Sequence, residues 1–184
     1  MSSGLPARWC SATLGVILPL SYGKSLPAKS RSDMGEVAVF GSSGEVGCHD
    51  VALTNGPTLV VGRKGNVGRP FLSTGPCWPI DTVYFAEEVQ GLSLAYVYYL
   101  LLHLDLSSLD KSTAIPGLSR DDYNVVRAPI APSAEQRRIV EAIESYFTRL
   151  DDAVATLERA QRNLKRHRAS VLKAAVEGRL VPTE

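Results

Sequence analysis

Between residues 133 and 177 the chain contains neither Gly nor Pro, and its apolar positions recur every seven residues. Ile143, Leu150, Leu157, Leu164 and Val171 form one row, and Phe147 and Val154 follow the first two members by four. An alternating four-three spacing sustained in this way predicts a coiled-coil helix. Ser133 and Gln136, directly after Pro132, have the pattern of a capping box. Lys165, Arg166, Arg168 and Lys173 suit the negative end of the helix dipole, and Gly178 with Pro182 supplies a stop. Gln161 and Arg168 interrupt the second row with polar groups, a device that fixes register or partner at some cost in stability. A helix of about 44 residues spans roughly 65 Å, far more than a compact domain of this size requires. The alternative is a helix packed on its own domain.

The first 132 residues have a different texture. Short apolar runs alternate with Gly and Pro, which predicts short strands joined by turns. Strands are expected at Val37 to Phe40, Thr58 to Gly62, Val67 to Ser73 and Thr82 to Phe85. Ser93 caps an expected helix from Leu94 to Leu104 that is apolar nearly all round, hence buried, with His103 as a core residue. A short helix is expected after Ser119, where Asp122 completes a cap, and Val125 to Ile130 reads as extended. The fold class is therefore α+β: a mixed globular domain with short strands over residues 1–132, then one long C-terminal coiled-coil helix and a short tail over 133–184.

Composition narrows the function. Hydrophobic residues make up 45% and charged residues 21%, ordinary for a soluble globular chain. No apolar run approaches the roughly 18 residues needed to span a membrane, and no signal peptide is visible. The three cysteines, Cys10, Cys48 and Cys77, are widely spaced and form no paired motif, so reduced thiols in a cytoplasmic protein are expected. The net charge of +1 is low for a stand-alone nucleic-acid binder. Residues 1–132 carry ten Lys/Arg against eleven Asp/Glu, and the remainder ten against eight. DNA contact would need clustered cations, or a partner that adds affinity.

Catalytic constellations are not found. Gly62-Arg63-Lys64-Gly65-Asn66-Val67-Gly68 lacks the ending of a phosphate-binding P-loop. Gly41 to Gly47 lacks the close glycine pair of a dinucleotide loop. There is no nucleophile elbow, and His49, His103 and His167 lie in unrelated contexts. No metal site and no cofactor are expected, and the chain reads as a binder and not an enzyme.

Four segments, in order, carry a resemblance. They are Leu14-Gly15 with Tyr22 to Pro27; Val61 to Gly68; Ile115 to Ser119 with Pro129 to Pro132; and Glu135 to Val140 opening the long helix, whose end at Leu172 to Leu180 also fits. Together they resemble the specificity subunits of type I restriction-modification systems. The resemblance implies a non-catalytic DNA-recognition subunit with one target-recognition domain and one conserved helix, where the family's usual subunit has two of each. It also implies that modification (methyltransferase) subunits dock on the helix, that a restriction subunit joins for cleavage, and that the two helices of a full unit pack antiparallel. A half-length form is expected to self-associate, to pair with another half-subunit, or to be part of a longer chain.

Basic and polar residues at Gly-rich turns are the candidates for DNA contact. Arg63, Lys64, Asn66 and Arg69 crowd one such turn, where arginine can bond a guanine edge in bidentate fashion. Lys24, Ser25, Lys29 and Arg31 form a second loop, Ser42 and Ser43 a third, and Lys111 with Thr113 a fourth. The structural alternative has the glycines only making a turn and Arg63 pairing within the fold, for instance with Asp81. The seam residues Ile143, Phe147, Leu150, Val154, Leu157, Leu164 and Val171 are the candidate dimer or partner interface. The competing function is a coiled-coil interaction or anti-restriction module without its own DNA readout.

Overall fold

The computed structural model describes residues 5–32, 34–87, 89, 91–110 and 117–180. By compactness the chain forms two units, residues 1–140 and 141–184. The elements run β1 (Cys10–Thr13), α1 (Leu14–Ile17), β2 (Ser21–Tyr22), β3 (Val37–Gly41), β4 (Gly44–His49), β5 (Thr58–Gly62), β6 (Pro70–Ser73), β7 (Cys77–Pro79), β8 (Val83–Ala86), α2 (Leu94–Leu104), α3 (Arg120–Asn124), β9 (Arg127–Ile130) and α4 (Ser133–Val176). This is the α+β class expected from the sequence.

The strands make three small sheets. β5 is central in the largest, with β6 on one side and β8 on the other, both antiparallel, and β2 beyond β8. A second sheet has the order β4-β3-β7, with β3 and β7 parallel. The third pairs β1 with β9, Cys10 opposite Ile130. Side chains alternate faces along a strand, and β5 is buried on both. Leu59 and Val61 enter the larger core with Leu14, Val97, Leu101 and Tyr123. Val60 enters a smaller core with Phe40, Cys77 and Val83. Full burial of each such side chain is worth about 1.5–3 kcal/mol.

Several local expectations need correction. The strand expected from Val67 starts at Pro70, because Gly65 and Gly68 hold positive φ and curl the chain ahead of it. β4 and β7 lie where glycines and prolines suggested only turns: Gly44 and Gly47 take positive φ inside β4, and β7 is three residues long. α2 has the expected ends, but Ser93 makes no side-chain cap, and Leu102 and His103 are exposed. The helix is thus one-sided, burying Tyr96, Val97, Leu100 and Leu101. The cap on α3 does form, Ser119 Oγ accepting from the Asp122 amide at 3.5 Å.

At the start of α4 the capping box is replaced by a tie into the core. Gln136 is 3% exposed. Its Nε2 donates to the Ala131 carbonyl at 2.7 Å and its Oε1 accepts from the Ser93 amide at 3.4 Å. Trp9 Nε1 donates to Glu135 at 3.0 Å, and Ile139 and Val140 pack on the larger core. The first two turns of α4 therefore belong to the first unit. In the second unit the seam faces solvent: Leu157 and Leu164 are 70% and 69% exposed, and Phe147, Leu150, Val154 and Val171 are also exposed. No helix among the described residues is long and apolar enough to cross a membrane.

Tyr123 is the largest fully buried side chain among the described residues, and its hydroxyl donates to the Leu18 carbonyl at 3.1 Å, joining α3 to the end of α1. Burial pushes its phenol well above the ordinary value near 10. Since the fold raises this pKa, the stability it contributes is complete below pH 10 and lost as pH rises beyond it. Tyr123→Phe is expected to cost about 1–2 kcal/mol in urea unfolding at pH 8, by leaving the Leu18 carbonyl without its donor. The same variant should lose less stability than the unaltered chain between pH 8 and pH 11.

Candidate nucleic-acid interface

The turn between β5 and β6 is built by close backbone packing. The Gly62 amide donates to the Arg69 carbonyl at 2.9 Å, and the Gly68 amide to the Gly62 carbonyl at 2.8 Å. A Cβ on Gly62 would lie 1.9 Å from the Asn66 carbonyl oxygen. One on Gly68, at φ +73°, would lie 2.4 Å from Leu106 Cβ. Only glycine fits at these two positions. The amides of Arg63 and Lys64 both donate to the Thr82 carbonyl at 3.0 Å, which fastens the turn to the approach to β8. The result is a rigid loop that exposes Lys64, Asn66 and Arg69.

Other candidates join this loop unequally. Ser42 Oγ lies 3.5 Å from the Cβ position of Gly65, so the β3–β4 turn with Ser42 and exposed Ser43 adjoins it. The Arg69 guanidinium sits over Phe71 at 5.4 Å, and Phe71 packs beside Gly44 of that same β3–β4 turn. Arg63 is more engaged. Its Nη1 donates to the Asp81 carbonyl at 2.9 Å, and its guanidinium lies 5.1 Å from the Tyr22 ring and 5.8 Å from Tyr84. The contact to residue 81 is to the backbone and not to the carboxylate. Arg31 also turns inward, donating to the carbonyls of Leu26 and Val46. Lys24, Ser25 and Lys29 are exposed on the segment that Arg31 secures, and Trp78 Nε1 donates to the Lys24 carbonyl at 2.9 Å. Lys111 and Thr113 lie outside the described residues.

One group was not legible in the sequence. Arg120, from α3, lies 5.1 Å from the Tyr22 ring, so that ring has two guanidinium neighbours. Tyr22 and Tyr84 meet edge-on at 5.1 Å, and Tyr84 donates to the Leu118 carbonyl at 3.0 Å. Burial raises the Tyr84 pKa, Tyr22 alongside adds to the rise, and Arg63 opposes it. The only sequence signal was Arg120 in the turn that follows a cap, which says nothing of Tyr22 nearly a hundred positions earlier. The three cysteines are free thiols, and among the described residues no group of three or more His, Cys, Asp or Glu is placed to hold a metal ion.

No protein-family model matches the chain. Curated relatives do. The specificity subunit of the StySPI type I restriction enzyme of Salmonella potsdam is 35% identical over 134 residues, 71% of this chain and 28% of the relative. That of the EcoDI enzyme of Escherichia coli is 25% identical over 98% of this chain and 40% of the relative. The crystal structure of the type I restriction-modification S subunit from M. genitalium superposes with a TM-score of 0.69 at 21% identity, over 96% of this chain and 49% of that one.

The chain belongs to the family of type I restriction specificity subunits.

The S subunit from Thermoanaerobacter tengcongensis gives a TM-score of 0.65 at 23% identity, over 97% of this chain and 47% of that one. This specificity-subunit chain thus spans 28% and 40% of the two curated relatives and about half of the solved chains. In the Val61–Gly68 segment of the resemblance, packing within the fold requires glycine at positions 62 and 68.

Gly68→Ala is expected to destabilise the chain by about 2–4 kcal/mol, combining a left-handed backbone with a steric clash. Lys64→Ala, on the exposed side of the same turn, should change stability by less than about 0.5 kcal/mol. Thermal unfolding of the two variants side by side checks the contrast.

Proposed function

We propose that this chain is the recognition component of a type I methyltransferase assembly, reading one half of a two-part DNA target without catalysing a reaction. Residues 1–132 would be the target-recognition domain and residues 133–184 the spacer helix and tail. The observation that carries the reading is the rigid β5–β6 turn, whose Gly62 and Gly68 are committed to packing while Lys64, Asn66 and Arg69 stay exposed. Preorganised donors lose little entropy on binding a duplex, and base edges in the major groove accept from such side chains. Ser42 and Ser43 extend that surface. Lys24, Ser25 and Lys29, exposed on a second loop, are assigned to the same role, as are Lys111 and Thr113. Arg63 and Arg31 act in this reading mainly by holding the loops in place.

The helix supplies the rest of the proposal. An exposed heptad stripe needs a second helix, and we assign that role to a second copy of this chain, antiparallel. Charge supports the orientation. Residues 141–160 carry five acids and two arginines, a net of −3. Residues 161–176 carry five bases and no acid, a net of +5. Antiparallel pairing sets each basic half against an acidic half, whereas parallel pairing sets like against like. Two-fold symmetry then puts a recognition domain at each end, suited to two half-sites at a fixed separation. Modification subunits dock on the paired helices, carry the methyl-transfer chemistry, and add the electrostatic affinity that a chain of net charge +1 does not provide. A restriction subunit joining that assembly would cleave, and the assembly would work in the cytoplasm.

Two measurements test this. DNA from cells expressing the chain with its modification subunits should carry methyl groups at one bipartite sequence; methylation spread without sequence preference would contradict the reading. Replacing both Leu150 and Leu157 with Asp should shift sedimentation from dimer to monomer and abolish docking of the modification subunits. Survival of both associations would remove the seam as the interface.

A further inference from the structure

Beside the β5–β6 turn, and sharing Arg63 and Lys64 with it, lies an open concavity of about 620 Å³ that Tyr22, Tyr84, Ser119 and Arg120 also line. Its floor is fixed. Tyr84 is held by the Leu118 carbonyl, Arg63 by the Asp81 carbonyl, and the Lys64 backbone pairs with Gly117. Its rim is free to act: Tyr22 is 52% exposed, and Arg120 is exposed and makes no hydrogen bond or ion pair among the described residues.

A single guanidinium over a ring needs no function, because cation–π attraction is a common structural contact. Here the Arg63 and Arg120 guanidiniums both lie 5.1 Å from the Tyr22 centroid, on separate elements, and so within about twice that distance of each other. With Lys64 they bring three cations to the groove against one carboxylate, Asp121, among the described residues. Like charges so close repel, since screening at 0.1 M salt acts over about 10 Å, and a bound anion would relieve that repulsion. The three cationic side chains, Arg63, Lys64 and Arg120, are donors only, which suits phosphate oxygens, and the Ser119 and Tyr22 hydroxyls beside them can also donate; a base edge presents donors and acceptors together.

We propose that this groove holds a backbone phosphate of the DNA duplex next to the reading turn, with Arg120 as its principal exposed ligand and Arg63, stacked with Tyr22 and Tyr84, as the positioning group. The proposal rests on the reading of the chain as a DNA-recognition unit. It assigns Arg120 to affinity and orientation, which phosphate contacts govern, and leaves discrimination between sequences to the turn.

The test is binding of the full chain to two duplexes, one with its preferred site and one scrambled, across a series of salt concentrations. Arg120→Gln should weaken binding to both duplexes by the same factor, about 5- to 10-fold, and reduce the slope of log K against log salt by about one. Arg120→Lys, which keeps the charge, should restore most of the slope. Asn66→Ala, from the reading turn, should weaken the preferred duplex alone. An Arg120→Gln variant with unchanged slope, or with loss confined to the preferred duplex, would overturn the assignment. Inorganic phosphate bound at millimolar concentration and constant ionic strength in an Arg120-dependent way, without weakening either duplex, would make the groove a site for a free anion and also overturn it. Equal binding of the two duplexes by the unaltered chain would contradict the recognition reading. A slope still reduced by Arg120→Gln would in that case continue to support the phosphate contact.

Discussion

The structure depends on one strand that is buried from both sides. Leu59, Val60 and Val61 of β5 are each fully buried, and they alternate between two cores. A strand clamped in this way has no freedom of register, because a slip of one residue would send every side chain to the wrong core. That fixed strand ends at Gly62, where the exposed turn begins. The rigidity of the candidate surface is therefore inherited from apolar packing behind it, and not from contacts among its own polar side chains.

What the sequence made legible follows from the length over which each signal is averaged. The heptad rows in α4 extend over four repeats, so Ile143 to Val171 could be assigned to one seam. The apolar run of α2 was long enough to place both ends. Short elements with glycine inside them were not readable. β4 contains Gly44 and Gly47, each at positive φ, and glycine there is part of a strand and not its boundary. Ser133 and Gln136 had capping-box spacing, yet tertiary contacts drew Gln136 to Ala131 and Ser93. Local propensity yields wherever a buried polar group finds better partners in the core.

The candidate surface divides on similar lines. Gly-rich composition marked the turn at Arg63 to Arg69, because backbone crowding demands glycine at specific positions. It did not separate the arginines that face solvent from those that brace the fold. Arg31 and Arg63 spend donors on backbone carbonyls, whereas Arg69 lies over an aromatic ring at the surface. The Tyr22–Arg63–Arg120 cluster joins residues from three distant segments. No spacing rule in one sequence brings them together. Net charge is a weak guide for the same reason: a chain at +1 still places three cations around one groove.

Sequence recognition by paired copies is tested most directly by selection from a random duplex library with the purified chain, in parallel with and without its modification subunits. Two antiparallel copies, each reading one half, should enrich a two-part palindrome with a fixed gap. Enrichment of no sequence in either arm would contradict that recognition, and would leave the chain as an interaction module that shares the family's fold without its readout.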